Sequence, residues 1–423
     1  MAETRIVVEH REHLWWLLAE AAQLEQGIMC QYLYAAFSLK AGTDEGVTPE
    51  QLEAIGRWRA AVVDIAIQEM LHLALVANLM SAIGAAPSFT RSNFPRASEY
   101  FPPGVQLELL PFGEDALTHF LYLERPEGME RVDAAEFVPA APPPAPVAPD
   151  EDFPRGQDFA TVGHLYRGIA DGLRHLAGRL GERGLFVGPA RAQATPEAFQ
   201  WPDLIAVTDL ASAVAAVEEI VEQGEGARGE WQSAHYGRFL QIHDEHAAMR
   251  AADPGFEPAR PVLPAFSSQP FDIPEAQVLI TDPTTRGVAD MFNMAYEVLL
   301  QTLTRYFTHT DETPEQLAAL VSTALGLMAG VLRPLGNTLT TLPVGPEHPG
   351  RTAGPTFQMY YQMGNFVPWR HAAWTLLHER VKLLSDRCAG LAEGHPAAPA
   401  IAVAAGSASQ LADAMQVPRP ADP

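Results

Sequence analysis

Apolar residues first recur at helical spacing along Leu14, Leu17, Leu18, Ala21, Leu24, Ile28 and Leu33, which predicts a helix from about Glu9 to Lys40, stopped at Gly42. A second helix has a well-marked start, with Thr48 as N-cap, Pro49 at the first position and Gln51 closing a capping box. It runs to about Ile83, and Gly84 ends it. Each helix has roughly 30 residues, or about 45 Å at the α-helical rise, and a short loop pairs them antiparallel. Glu25 in the first and Glu69 in the second then lie within about 8 Å of each other along the hairpin axis.

The helical pattern stops between Ala85 and Pro139, where Pro, Phe and Gly are frequent and Val105–Leu109 alternates like a short strand. Residues 139–150 are Pro-rich and read as a solvated spacer or extended strap rather than a partner-binding motif. A third helix is expected over about Thr161–Leu180, with His164, Gly168, Asp171 and His175 on one face. A fourth spans about Asp203–Gln223, broken by Gly224, Gly226 and Gly229, and a fifth begins near Trp231 and passes through His235 and Phe239. After a Pro-rich stretch (254–274), helices resume at about 285–309, 314–335, 357–391 and 398–416. The string Thr313-Pro-Glu-Gln-Leu317 repeats Thr48-Pro-Glu-Gln-Leu52, which at five residues shows reuse of one capping chemistry and no more. The fold class is therefore mainly α: a helix bundle over residues 1–250 with a Pro-rich, partly β insertion at about 85–155, and a further helical region, 275–423, expected to pack on the bundle.

Composition narrows the function. Hydrophobic residues make up 47% of the chain and charged residues 19%, values of a globular protein. The formal charge of −24 opposes binding to nucleic acid or to an anionic membrane surface. The two cysteines, Cys30 and Cys388, are too few for a disulfide framework, and Cys30 reads as a small core residue. The N-terminus lacks the pattern of a signal peptide, and no long uncharged apolar run stands out, so a cytoplasmic protein is expected. A homodimer is an open expectation.

Against this background the acids inside apolar helices carry the chemical signal, because a buried carboxylate is costly unless a charge or metal compensates it. Glu69-Met-Leu-His72 is an E-x-x-H whose two ligand types project from one helix face. Its setting, Val62, Val63, Ile65 and Ala66 before and Leu73, Leu75, Val76 and Leu79 after, is not that of a surface ion pair. Di-iron and di-manganese bundles take single Glu ligands from two helices and an E-x-x-H from each of two others. Here Glu25 is the lone Glu, and Glu69 with His72 the first pair. Mixed carboxylate and imidazole ligands suit two iron ions, or manganese, or a mixed pair, better than structural zinc.

The second half is less regular. Glu218, Glu219, Glu222 and Glu225 crowd one segment where only some can point inward, and no His follows at i+3. Glu222 is taken as the ligand, His235 as the displaced imidazole and His164 as a candidate from the third helix, with a hydrogen-bonded, half-buried His as an equal alternative. Tyr32, two turns from Glu25 on the same face, is placed at the cavity as a catalytic side chain. His243 and His246 have ligand spacing but read as a solvated face, and Trp15 and Trp16 as packing.

Ala22-Gln-Leu-Glu25-Gln with Gln31-Tyr32, Val162-Gly-His164-Leu-Tyr166, Val221-Glu222-Gln-Gly-Glu225-Gly and Ser233-Ala-His235-Tyr-Gly-Arg-Phe239, together with the E-x-x-H, resemble the ferritin-like proteins related to iminophenyl-pyruvate dimer synthase. These include the ferritin-like part of the synthases that couple indole-pyruvate imines in the violacein and bisindole antibiotic pathways. Pro349–Phe357 is similar to a loop of the same family. The resemblance covers most of 1–250 and, more loosely, 280–360. It implies a ferritin-like bundle with a metal site, often found in natural-product pathways.

Three functions follow as expectations. The first is a non-haem di-iron oxidase or oxygenase that uses dioxygen on a small, amino-acid-derived molecule, the bundle supplying the metals and the extra regions the substrate pocket. The second is a ferroxidase, which a chain with two added regions suits poorly. The third is a non-catalytic scaffold whose acids pair with Arg57, Arg59 or Arg238, an arrangement with few bases for many buried acids.

Overall fold

A computed structural model describes residues 5–97, 106–134, 137, 157, 159–226, 231–273, 278–360 and 367–415. Residues 139–150, the spacer or strap, lie outside them. The described chain is mainly α-helical and divides into two compact units, residues 1–88 with 95–258, and residues 89–94 with 259–423.

In the first unit α1 (Arg11–Ser38) and α2 (Pro49–Ala82) form the expected hairpin. Thr48 accepts from Gln51 N–H while Gln51 returns a bond to the N-cap backbone, so the capping box closes. Beside them stand α3 (Glu114–Leu123), α4 (Val162–Leu180), α5 (Glu182–Leu185), α6 (Pro196–Phe199), α7 (Leu210–Gly224) and α8 (His235–Ala252). The strand expected at 105–109 is a two-residue β2 (Gln106–Leu107), antiparallel to β1 (Arg96–Ala97).

Helix α3 is a departure from the expected break in helical pattern. It starts beside the end of α1, where Phe112 N–H donates to Ser38 Oγ (2.8 Å), and Phe120 packs against Tyr32 (ring centroids 4.6 Å). Helix α4 then resumes the same path, with Tyr166 on Glu25 and Arg179 bonded to Glu9 at the far end. Together they make one broken helix antiparallel to α1. A second broken helix runs antiparallel to α2: Gln223 of α7 reaches His72, His235 of α8 reaches Gln68, and His246 packs on Trp58. The order is up, down, down, up, with one long crossover, as in ferritin-like bundles. Both breaks fall at the level of Glu69.

Asn78, fully buried in α2, keeps the irregular segment between α6 and its neighbours in place. Its side-chain amide donates to Ala194 and Ile205 carbonyls, both at 2.8 Å, and accepts from Ala194 N–H at 2.7 Å.

The second unit repeats the topology. Helices α9 (Pro283–Phe307), α10 (Pro314–Leu327) and α11 (Arg333–Leu339) come first, with α10 and α11 joined through one π-helical turn, Met328–Leu332. Pro334 supplies no N–H and crowds the carbonyl four residues earlier, and the wider turn relieves both. Helices α12 (Arg370–Ala392) and α13 (Ala398–Ala414) complete it. Arg380 of α12 meets Glu297 of α9, and Leu391 lies against Gly287, so these two run antiparallel. A Cβ at Gly326 or Gly330 would fall 2.6 Å from Leu411 or 2.7 Å from Ser407, which shows how closely α10 and the π-helical turn approach α13. The order is again up, down, down, up, and Thr313 caps the second helix of this unit as Thr48 caps that of the first. Helix α12 begins at Arg370 rather than near 357, because Thr352–Ala353 is strand β4, parallel to β3 (Val262–Leu263), and Phe357 takes a left-handed φ of 50°.

Pro49–Ala82 and Pro314–Leu339 are long and apolar enough to cross a bilayer by length and composition, more than the sequence pattern suggested. In this fold the first is the α2 helix that carries Glu69 and His72. Cys30 and Cys388 are both buried thiols, not joined in a disulfide.

Candidate metal centre

Among the described residues, five side chains converge inside the first unit, four from α1, α2 and α8 and Glu124 from the C-cap of α3, all at most 5% exposed. Glu25, Glu69 and His72 form one donor group, and Glu69, Glu124 and His235 another, the donor atoms within each lying within 4.8 Å of one another. Glu69 belongs to both. Its Oε2 is 2.9 Å from His72 Nδ1 and its Oε1 3.0 Å from His235 Nδ1. The imidazoles lie nearly parallel with centroids 5.4 Å apart.

The two halves match in their supports. Tyr166 donates to Glu25 Oε1 (2.5 Å), leaving Oε2 toward His72 (3.5 Å), and Tyr32 donates to Glu124 Oε1, leaving Oε2 toward His235 (3.7 Å). Each imidazole turns its Nε2 outward to an amide oxygen, His72 to Gln223 (3.1 Å) and His235 to Gln68 (2.9 Å). An amide oxygen only accepts, so Nε2 carries the proton and Nδ1 faces the cluster, the arrangement of a metal-bound histidine. Among the described residues, His235 Nδ1 makes no well-directed hydrogen bond, although it lies 3.0 Å from Glu69 Oε1. Three buried carboxylates and two inward nitrogens fit a pair of iron or manganese ions.

Protonation in the metal-free chain follows from burial and crowding. Burial and the neighbouring Glu69 push the Glu25 carboxyl up to about 8, against the pull of His72. Burial and Glu69 also raise Glu124. Burial opposes ionisation of Glu69 too, but His235 and His72 outweigh it and hold this carboxyl well below its usual range. Burial disfavours the imidazolium of His72, yet Glu69 and Glu25 raise it well above its ordinary value. For His235 the same balance, with Glu69 and Glu124, leads to about 9. Both tyrosines, pushed far up by burial and then by their carboxylate partners, stay protonated as donors.

A pH dependence of the metal-free protein follows. Glu25 ionises near pH 8 in the fold and near 4.5 when unfolded, so rising pH favours unfolding over that span. The stabilising charge of His235 is complete below 6.5 and lost as pH rises through about 9. Melting temperature of the metal-free chain should therefore fall between about pH 6.5 and 9. With manganese bound, Glu25 and the Nδ1 of His235 would carry no proton over this range, and the fall should disappear. Thermal melts with and without the ion check this, and a flat or rising metal-free profile contradicts it.

Of the side chains expected from sequence, Glu25, Glu69, His72, His235 and Tyr32 are brought together, Tyr32 as the support of Glu124. Glu222 is not: it lies on the exposed face of α7, because Ala213, Ala216, Val217 and Ile220 take the inner face. His164 joins neither donor group, and its Nδ1 accepts from Ala160 N–H (3.1 Å) at the first turn of α4. Glu225 is buried but serves the backbone, accepting from Gly163 N–H (2.8 Å) and Glu127 N–H (3.2 Å), and so ties three broken helix ends together. His246 is buried against Trp58 and Phe112 rather than solvated. Glu124 was hidden by its place at the end of a ten-residue helix; the run Ala116-Leu117-x-x-Phe120-Leu121 before it was the available signal. The arginines named for a scaffold pair elsewhere: Arg57 with Glu245, Arg238 with Asp64, and Arg59 bonds the Leu39 and Lys40 carbonyls.

A bundle with two broken helices around a shared carboxylate defines a class, and the comparison with known proteins agrees. Residues 18–244 match the family model described as Ferritin-like, more than half of the chain, and the protein belongs to the ferritin-like family. It is 28% identical over 412 residues to the dichlorochromopyrrolate synthase of Lentzea aerocolonigenes, covering 90% of this chain and 39% of that protein. It is 30% identical over 371 residues to the 2-imino-3-(indol-3-yl)propanoate dimerase of Chromobacterium violaceum, covering 82% of this chain and 34% of that one. The chain thus spans less than two fifths of the length of these two relatives. A solved ferritin-like protein from Caulobacter vibrioides aligns with a TM-score of 0.46 at 19% identity, over 76% of this chain and 97% of that one.

Proposed function

We propose that this chain is a metal-dependent oxidative enzyme whose dinuclear centre, of iron or manganese, acts with dioxygen on a small imino acid derived from an aromatic amino acid. The observation that carries the reading is the pair of buried donor groups sharing Glu69, each with its histidine Nδ1 turned inward. The names of the two relatives, a synthase and a dimerase of an indolyl imino acid, suggest the substrate class.

Glu25, Glu69 and His72 would hold one ion, and Glu69, Glu124 and His235 the other. Bound there, the ions would supply the electrons that dioxygen accepts and so the oxidising capacity that the side chains lack. The protein's own contribution is geometric and protonic. Tyr166 and Tyr32 fix one oxygen of Glu25 and of Glu124, and their raised pKa values keep the phenols as hydrogen-bond donors. Burial excludes water from the carboxylates, and Glu25, with a pKa near 8 in the metal-free chain, gives up its proton when a cation replaces it.

The test is anaerobic loading with ferrous ion, followed by dioxygen, with and without the imine formed from an aromatic α-keto acid and ammonia. Oxygen uptake that depends on the imine and yields an altered organic product supports the proposal. Iron oxidation at the same rate without any organic product would transfer the reading to a ferroxidase.

A further inference from the structure

The two imidazoles are held by matching amides, but the amides lean on opposite charges. Behind His72, Gln223 donates its Nε2 to Glu219 Oε1 (2.5 Å) while its Oε1 accepts from the imidazole. Behind His235, the oxygen of Gln68 accepts from the imidazole and also from Arg238 Nη1 (3.1 Å). The charged neighbours settle the amide orientations, since Glu219 takes only donors and Arg238 offers only donors.

The consequences differ in sign. A carboxylate bonded to the amide N–H pushes electron density onto the amide oxygen, which then pulls harder on the His72 Nε2 proton and makes Nδ1 a stronger ligand. A guanidinium bonded to the amide oxygen draws density away and competes with His235 for the same lone pairs, which leaves its Nδ1 a weaker ligand. Asp64 does bond Arg238 Nη2 (2.8 Å), but its side chain is 61% exposed and water screens it, whereas the guanidinium touches the amide directly.

We propose that Glu219 and Arg238 are positioning residues of opposite sign: Glu219 strengthens the His72 half of the centre through Gln223, and Arg238 weakens the His235 half through Gln68. This rests on the reading that the cluster binds two metal ions. Neither residue contacts a donor group itself, and a side chain that only supported its amide would show no such difference in sign.

The test is anaerobic titration of the full chain with Mn(II), followed by calorimetry and by electron paramagnetic resonance of the unbound ion. The parent should take up two ions in two steps. Glu219→Gln keeps an acceptor for Gln223 but removes the charge, and should weaken the tighter step up to about tenfold. Arg238→Gln should do the reverse and tighten the weaker step by about threefold or more. Asp64→Asn, which removes only a water-screened carboxylate, should leave both steps unchanged, and a shift as large as that of Arg238→Gln would overturn the inference. Arg238→Gln that weakens either step, or changes neither while the parent binds two ions, overturns the inference and leaves the metal reading intact. A folded parent that binds no Mn(II) removes both.

Discussion

Glu69→Ala should retain neither metal ion, while Glu124→Ala should retain one. Glu69 is the only carboxylate common to both donor groups, with one oxygen toward each imidazole. Its loss removes a ligand from both positions and leaves two imidazoliums facing each other without their shared counter-charge. Removing Glu124 strips one position but leaves Glu25, Glu69 and His72 complete. Outer supports alone change metal affinity by about 10–100-fold, so the loss of a shared direct ligand should exceed about 100-fold. Elemental analysis after reconstitution and desalting, with melting curves as a check on folding, reads the outcome. One ion retained by Glu69→Ala would show that the two groups do not share this carboxylate.

The second large effect belongs to the other unit. Arg305→Met should destabilise it by about 3–5 kcal/mol, because it leaves a buried charge without its partner. The Arg305 and Glu312 side chains are 3% and 0% exposed and 2.5 Å apart. Glu312 also accepts from Thr310 N–H (2.9 Å) and Trp374 Nε1 (3.1 Å), and so fastens the turn after α9 to α12. These bonds do not replace a guanidinium. Arg305→Met combined with Glu312→Leu should recover most of the loss, since a well-packed apolar pair is often as stable as a buried ion pair. Denaturant unfolding of the two variants tests this, and equal destabilisation of the single and double variants would refute it.

What the sequence made legible was whatever depends on neighbours along one helix. The hairpin of α1 and α2, its capping box and the Glu25–Glu69–His72 group all follow from periodicity and spacing. The rest depends on contacts across distant segments. Glu124 comes from a helix of ten residues between Gly113 and Pro126, too short for its period to stand out. Glu222 satisfied the expected composition but sits on the wrong face, and nothing local separates it from Glu225, whose carboxylate faces backbone. The support of His72 by Gln223 and of His235 by Gln68 spans 151 and 167 residues, a separation that no local pattern encodes.

The interruption of two of the four bundle helices at the level of Glu69 has an evolutionary consequence. Helix α3 ends at Leu123 and α4 begins at Val162, α7 ends at Gly224 and α8 begins at His235, all at the depth of the chemistry, while α1 and α2 run through it unbroken. Between Glu124 and α4, and between Glu225 and α8, chain length can change while the uninterrupted pair keeps Glu25, Glu69 and His72 in place. A chain built this way can vary at its interruptions while the three side chains on the continuous helices keep their places.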